Sequence, residues 1–97
     1  MTDPIAERVL WAKLQYAVSG YPDGAKLLEN TAPDIVDIIA PPVAHAAVIR
    51  EFAAPGRILI CQKPFCTSQT EAEQMIAFAA RVGATLVIHE NFRFQPW

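Results

Sequence analysis

Three short runs rich in β-branched residues, separated by two helical patterns, constrain this chain more than any other feature. The runs are Ile35-Val-Asp-Ile-Ile-Ala40, Arg57-Ile-Leu-Ile-Cys61 and Ala84-Thr-Leu-Val-Ile88. After the first, Pro41-Pro42 stops a strand, and Pro42 suits the first position of a helix from Val43 to Ala54. Its apolar stripe is Ala44, Val48, Ile49 and Phe52. Pro55-Gly56 ends it and sets Arg57 against the negative end of the helix dipole. After the second run, Thr67 or Ser68 caps a helix, and Ser68-x-x-Glu71 has the form of a capping box. Ala72, Met75, Ile76, Ala79 and Val82 make its buried face, and Gly83 its stop. Two consecutive strand–helix–strand units imply right-handed crossovers and a parallel sheet, hence an α/β fold. The first run is almost continuously apolar, as in a strand covered on both faces. Asp37 interrupts it and reads as a residue near the solvent end or hydrogen-bonded there.

Upstream, residues 4–17 read as a helix, with Pro4 at its first position and Asp3 or Thr2 as cap. Ile5, Val9, Ala12 and Tyr16 recur at helical spacing, with Ala6, Leu10 and Leu14 beside them. Residues 19–24 form a breaker cluster, a short helix runs from Ala25 to Asn30, and Ala32-Pro33-Asp34 ends it. The element order is α, α, β, α, β, α, β, with no internal repeat.

The strand at 57–61 runs straight into Gln62-Lys63-Pro64. The strand fixes the backbone, and the proline stops the ladder and constrains the turn. A lysine is thereby held at the carboxyl end of a strand, where open α/β sheets bind ligands. When burial lowers its pKa, a lysine so placed can move a proton.

Composition narrows the partners. The chain has 97 residues, one domain's worth, with a net charge of -2 and a pI near 5.5. Neither nucleic acid nor an anionic membrane suits such a charge. No run approaches the roughly 18 apolar residues of a membrane span, and Met1 to Pro4 lacks the pattern of a secretory signal. Cys61 and Cys66 make no disulfide framework, so the expected compartment is the cytoplasm. Their spacing is wrong for a redox pair, and with His45 and His89 it does not match structural zinc sites, so no metal is expected. A mean hydropathy of +0.21 with 53% hydrophobic residues is high for so short a soluble chain.

Three segments together resemble a known family. Asp34-Ile-Val-Asp-Ile-Ile-Ala-Pro-Pro-x-x-His45, Cys61-Gln-Lys-Pro64, and Asn91-Phe-Arg-Phe94 with Pro96 are similar in kind, order and spacing to the Gfo/Idh/MocA oxidoreductases. The resemblance runs from about Asp3 to Trp97. It implies an NAD(P)-binding Rossmann domain followed by a second domain that carries the rest of the substrate site. On that reading residues 1–97 are a partial Rossmann-like domain, and residues 89–97 begin the connection to the second. NAD or NADP is the implied cofactor. The residues implied to contact it are Ala40, Pro41, Pro42, His45, Gln62, Lys63, Asn91 and Arg93, with Lys63 the catalytic lysine beside the substrate hydroxyl. Asp3 aligns loosely with the acid that binds the adenosine ribose.

The sequence also departs from the pattern. Gln62 stands where the family has glutamate, and an amide cannot hold Lys63 in an ion pair. The four glycines, Gly20, Gly24, Gly56 and Gly83, contain no Gly-x-Gly-x-x-Gly turn to bind a pyrophosphate. The expectation is therefore a partial parallel sheet with flanking helices, lacking the first strand and the glycine-rich turn. It is a piece of an oxidoreductase acting on a hydroxyl-bearing, sugar or polyol-like small molecule, inactive alone. Without its central strand, the strand at 35–40 gains a free apolar edge, which predicts a homo-oligomer. The rival function is a non-catalytic α/β association module that self-assembles through that edge. His45 reads as structural or as a cofactor contact, His89 as packing or hydrogen-bonded to a loop, and Cys61 as a small buried strand residue. Phe92, Phe94 and Trp97 read as stacking on a ligand or packing into a following domain.

Overall fold

The computed structural model describes residues 1–89, in two units that divide between Pro33 and Asp34. The first holds α1 (Ala6–Tyr16) and α2 (Gly24–Asn30). α1 starts two residues later than its proline suggests. Asp3 Oδ1 accepts from the Ile5 amide at 2.8 Å, and that turn holds Pro4 outside the helix. Val9 and Ala12 are buried, whereas Leu10, Leu14 and Tyr16 are exposed, so the apolar stripe is narrower than its composition. Ala17 closes α1 in the left-handed region at φ 53°. Gly20 then passes close to the helix: a Cβ there would lie 2.5 Å from Val9 Cγ1. Asp23 caps α2 by accepting from the Lys26 amide at 2.8 Å.

The second unit contains β1 (Ile35–Ile38), α3 (Pro42–Phe52), β2 (Ile58–Gln62), α4 (Gln69–Val82) and β3 (Thr85–His89). The strands pair in parallel in the order β1-β2-β3, with Ile35 opposite Ile58 and Ile58 opposite Thr85. α3 packs on β1 and β2, α4 packs on β3, and the two helices touch. Both crossovers therefore lie on one face, as two right-handed connections stepping in the same direction require. Ile38, Leu59 and Cys61 face the helices and are buried, with Ile49, Phe52, Met75 and Ala79 against them. Ile35 is 57% exposed, so β1 alternates between a covered and an open face instead of being covered on both. It is also an edge strand among the described residues.

The helix ends follow local chemistry. Pro42 opens α3, and Arg57 Nη1 donates to the Phe52 carbonyl at 2.6 Å, on the last turn. Ser68 Oγ accepts from the Glu71 amide at 3.1 Å. The Glu71 carboxylate returns to the amide and hydroxyl of Thr67, one residue short of a closed capping box. Gly83 terminates α4 at φ 84°. Ile76, expected inside, is 57% exposed, because α4 turns only the Met75–Ala79 line fully inward. No helix among the described residues is long and apolar enough to cross a membrane.

Candidate functional site

Parallel strands in register end at one level, so the loops after β1 and β2 emerge side by side. The first is Ala40-Pro41, leading into Pro42 of α3; the second begins at Lys63-Pro64, whose peptide bond is cis. Consecutive prolines remove two of the amide donors that a helix N-terminus ordinarily leaves open. The Ala44 amide turns back to the Pro41 carbonyl at 2.9 Å, and no side chain caps the helix. This loop therefore offers a small apolar surface with few donors, suited to a flat ligand face rather than a phosphate.

His45 joins the two loops. It sits on the first turn of α3, in line with Ile49 and Phe52 on the buried stripe, and is 1% exposed. Its Nδ1 lies 2.7 Å from the Phe65 carbonyl oxygen and its Nε2 2.7 Å from that of Ala40. Both oxygens can only accept, so a neutral ring serves one of them and a protonated ring serves both. Protonated, the imidazole ties the segment after β2 to the segment after β1; neutral, it lies between them and donates to one.

A second polar arrangement crosses all three strands on the face turned away from the helices. Residues paired in a parallel sheet share a face and alternate along each strand. Asp37 pairs with Ile60 and Gln62 with His89, which puts Asp37, Gln62 and His89 together. Gln62 Nε2 donates to Asp37 Oδ1 at 3.0 Å, and His89 Nδ1 lies 2.8 Å from Gln62 Oε1. The polar exception in β1 is thus hydrogen-bonded, and Gln62 ties a carboxylate to an imidazole.

Ala40 and Pro42 are half-buried, Pro41 and Lys63 are exposed, and all four lie at the strands' carboxyl ends with His45 and Gln62. Asn91 and Arg93 lie outside the described residues. Sequence reasoning did not place Asp37 or His89 in the site. Asp37 stood out as the one charged residue of its strand, but what brings it to Gln62 and His89 is the register.

The two thiols, Cys61 on the helix-covered face of β2 and Cys66 in the loop that follows, are shifted away from the reactive thiolate form. Burial, followed by the nearby charges of Cys66 and Asp37, pushes the Cys61 thiol up from 9.0 to about 11. Cys66 is also raised, first by burial and then by the Glu71 carboxylate. The surface therefore offers hydrogen-bonding groups, Asp37, Gln62 and His89, rather than a sulfur nucleophile.

Comparison with known proteins agrees with this fold. Residues 1–90 match the model of an oxidoreductase family with an NAD-binding Rossmann fold, GFO_IDH_MocA. The chain is 35% identical to D-apiose dehydrogenase from Paraburkholderia graminis, covering 99% of this chain and 26% of that protein. It superposes on an oxidoreductase from Agrobacterium radiobacter, solved in complex with NAD+, L-tartaric acid and magnesium, with a TM-score of 0.87 and 33% identity. That match covers 97% of this chain and 28% of the other. A myo-inositol 2-dehydrogenase from Lactobacillus plantarum shares the fold, with a TM-score of 0.80 at 18% identity over 97% of this chain and 28% of that one. The chain thus spans about a quarter of the length of these relatives.

Proposed function

Because this chain belongs to the Gfo/Idh/MocA oxidoreductases and matches their NAD-binding Rossmann domain, we propose that it contributes the Lys63 side of a site that moves a hydride between NAD(P) and a hydroxyl-bearing carbon of a sugar or polyol. The observation that carries this reading is the junction of two loops at the carboxyl ends of β1 and β2, clamped by His45, from which Lys63 projects. Ala40, Pro41 and Pro42 offer a donor-poor apolar surface for the nicotinamide side of the cofactor. Gln62, and Asn91 and Arg93 further along the chain, add polar contacts. Bound cofactor supplies the redox chemistry, and the protein positions the reacting hydroxyl and handles its proton. Two relatives named D-apiose dehydrogenase support the sugar side of the assignment.

The 97 residues hold no glycine-rich turn for the pyrophosphate, so by themselves they bind NADH weakly and do not turn over. Quenching of Trp11 and Trp97 fluorescence by NADH tests this. Saturable binding at about micromolar concentration, an affinity near −8 kcal/mol, would contradict it. In the protein expressed from the whole reading frame that contains this sequence, D-apiose and myo-inositol are assayed for NAD+ reduction. Lys63→Met abolishes turnover there while NADH binding persists; unchanged turnover removes Lys63 from the mechanism.

One observation favours a second reading, self-association. Among the described residues β1 is an edge strand whose Ile35 is exposed, and Ile39 just beyond it is 79% exposed. Light scattering of the chain at tens of micromolar reports a dimer or larger assembly on this reading; a sharp-melting monomer rejects it.

A further inference from the structure

The row Asp37–Gln62–His89 does more than satisfy three polar side chains. A carboxylate only accepts hydrogen bonds, so the amide of Gln62 must turn its NH2 toward Asp37, as the 3.0 Å Nε2–Oδ1 contact has it. The amide oxygen is then aimed at His89. That oxygen also only accepts, so the imidazole must carry its hydrogen on Nδ1, 2.8 Å away. Asp37 thereby selects the tautomer of a histidine two strands away, through a neutral amide that transmits orientation without adding charge. The outcome at the other end of the ring is an Nε2 lone pair. His89 is exposed, and among the described residues Nε2 has no hydrogen-bond partner.

We propose that Asp37 and Gln62 are positioning residues that hold His89 with Nδ1 protonated, and that Nε2 accepts a hydrogen bond from a hydroxyl group of the bound ligand. The location supports this. His89 is the last residue of β3, at the same register as Gln62, and Lys63 follows Gln62 directly. The lone pair therefore sits on the surface where an open parallel sheet receives its ligands. A donor hydroxyl fits it; a carbonyl or phosphate oxygen does not, because two acceptors would face each other. A ribose hydroxyl of the cofactor and a hydroxyl of the sugar share this chemistry. The ligand half of the inference rests on the function proposed above, and the tautomer half does not.

Two-bond 1H–15N correlation spectra of the 15N-histidine-labelled chain at about pH 8 read the tautomer with no ligand present. The expected His89 pattern is a protonated Nδ1 and a bare Nε2. Gln62→Leu and Asp37→Ala, two separate ways of cutting the row, each return His89 to the Nε2–H form that free imidazole prefers. A wild-type His89 protonated at Nε2 overturns the proposal, and so does an Nδ1–H form that survives Gln62→Leu. In protein from the whole reading frame, NADH is then added alone and followed by D-apiose. An Nε2 shift with NADH alone assigns the hydroxyl to the cofactor, and a shift only with the sugar assigns it to the substrate. Bound NADH and sugar with no shift at Nε2 overturns the ligand half. Failure of NADH to bind refutes the proposed function, and with it the ligand half, while leaving the tautomer result intact.

Discussion

Gln62→Glu tests the reading of the polar row most sharply, because it restores the residue type expected at this position from the family resemblance and yet should harm this chain. Gln62 Nε2 is 3.0 Å from Asp37 Oδ1. A glutamate there sets two carboxylates at that distance and removes the hydrogen bond between them. Two unit charges 3 Å apart repel by roughly 1.4 kcal/mol even with the full screening of bulk water. Side-chain escape on an exposed surface reduces that, and loss of one net hydrogen bond adds about 0.5–1 kcal/mol. The expected destabilisation is about 1–2 kcal/mol at neutral pH. It also has a fixed pH signature. Repulsion raises the folded-state pKa of the carboxylate pair above its unfolded value, by about one unit for each 1.4 kcal/mol. The loss is therefore absent below the unfolded value near pH 4 and develops as pH rises through the folded one, to completion by about pH 7. Urea unfolding of both proteins at about pH 4 and pH 7 measures it. A penalty equal at the two pH values, or greater in acid, refutes the assigned contact, as does a variant more stable than the wild type at neutral pH. His89 keeps its Nδ1 hydrogen in this variant, since the new carboxylate accepts at both ends.

His45→Leu leaves the carbonyls of Ala40 and Phe65 without their shared partner and costs about 2–3 kcal/mol; limited proteolysis should find new cleavage in residues 63–68, and an unchanged digest would dismiss the clamp. The buried Cys61 thiol, raised from 9.0 to about 11, favours the folded state fully below pH 9.0 and loses that contribution as pH rises through the folded value. The stability advantage of wild type over Cys61→Ala therefore shrinks above that pH in paired urea titrations, and a constant difference argues against the shift. Ser68→Ala removes the oxygen that caps α4 and lowers stability by about 1 kcal/mol by the same assay; Thr67→Ala, whose contact with Glu71 is longer, costs less.

The parts legible in the sequence were those encoded by neighbours in the chain. Pro42, Ser68 and Gly83 act at helix ends through their own backbone or the next turn, and each holds the expected position. The parallel sheet followed from two crossovers, each set by local periodicity. What failed to show depends on residues far apart. His45 falls on the buried stripe of α3, but a hydrophobic pattern does not count an imidazole, and its Phe65 partner is 20 residues away. Asp37, Gln62 and His89 are joined across separations of 25 and 27 residues, which only the strand register reveals. Ile76 and Leu14 misled for the opposite reason: periodicity marks a possible inward face, and the width of the covering surface decides how much of it is used.

The distribution of polarity along the strands argues for the site independently of any relative. On the helix-covered face the side chains stay apolar to the strand ends, at Ile38, Cys61 and Ile88. On the other face each strand begins with apolar or neutral residues and changes to charged or hydrogen-bonding ones toward its carboxyl end. β2 runs Ile58, Ile60, Gln62, β3 runs Thr85, Val87, His89, and β1 runs Ile35, Asp37. A face evolved only for solubility scatters its polar residues, because each hydrates as well at one height as at another. A face evolved only for burial has none, since an unpartnered polar group under cover costs about 1–3 kcal/mol. Polar residues gathered near the carboxyl ends of three strands, Gln62 and His89 at one level and Asp37 one same-face step earlier, and bonded to each other in a single chain, fit neither demand. They are consistent with the site proposed above, in which Lys63 directly follows Gln62 at the carboxyl end of β2.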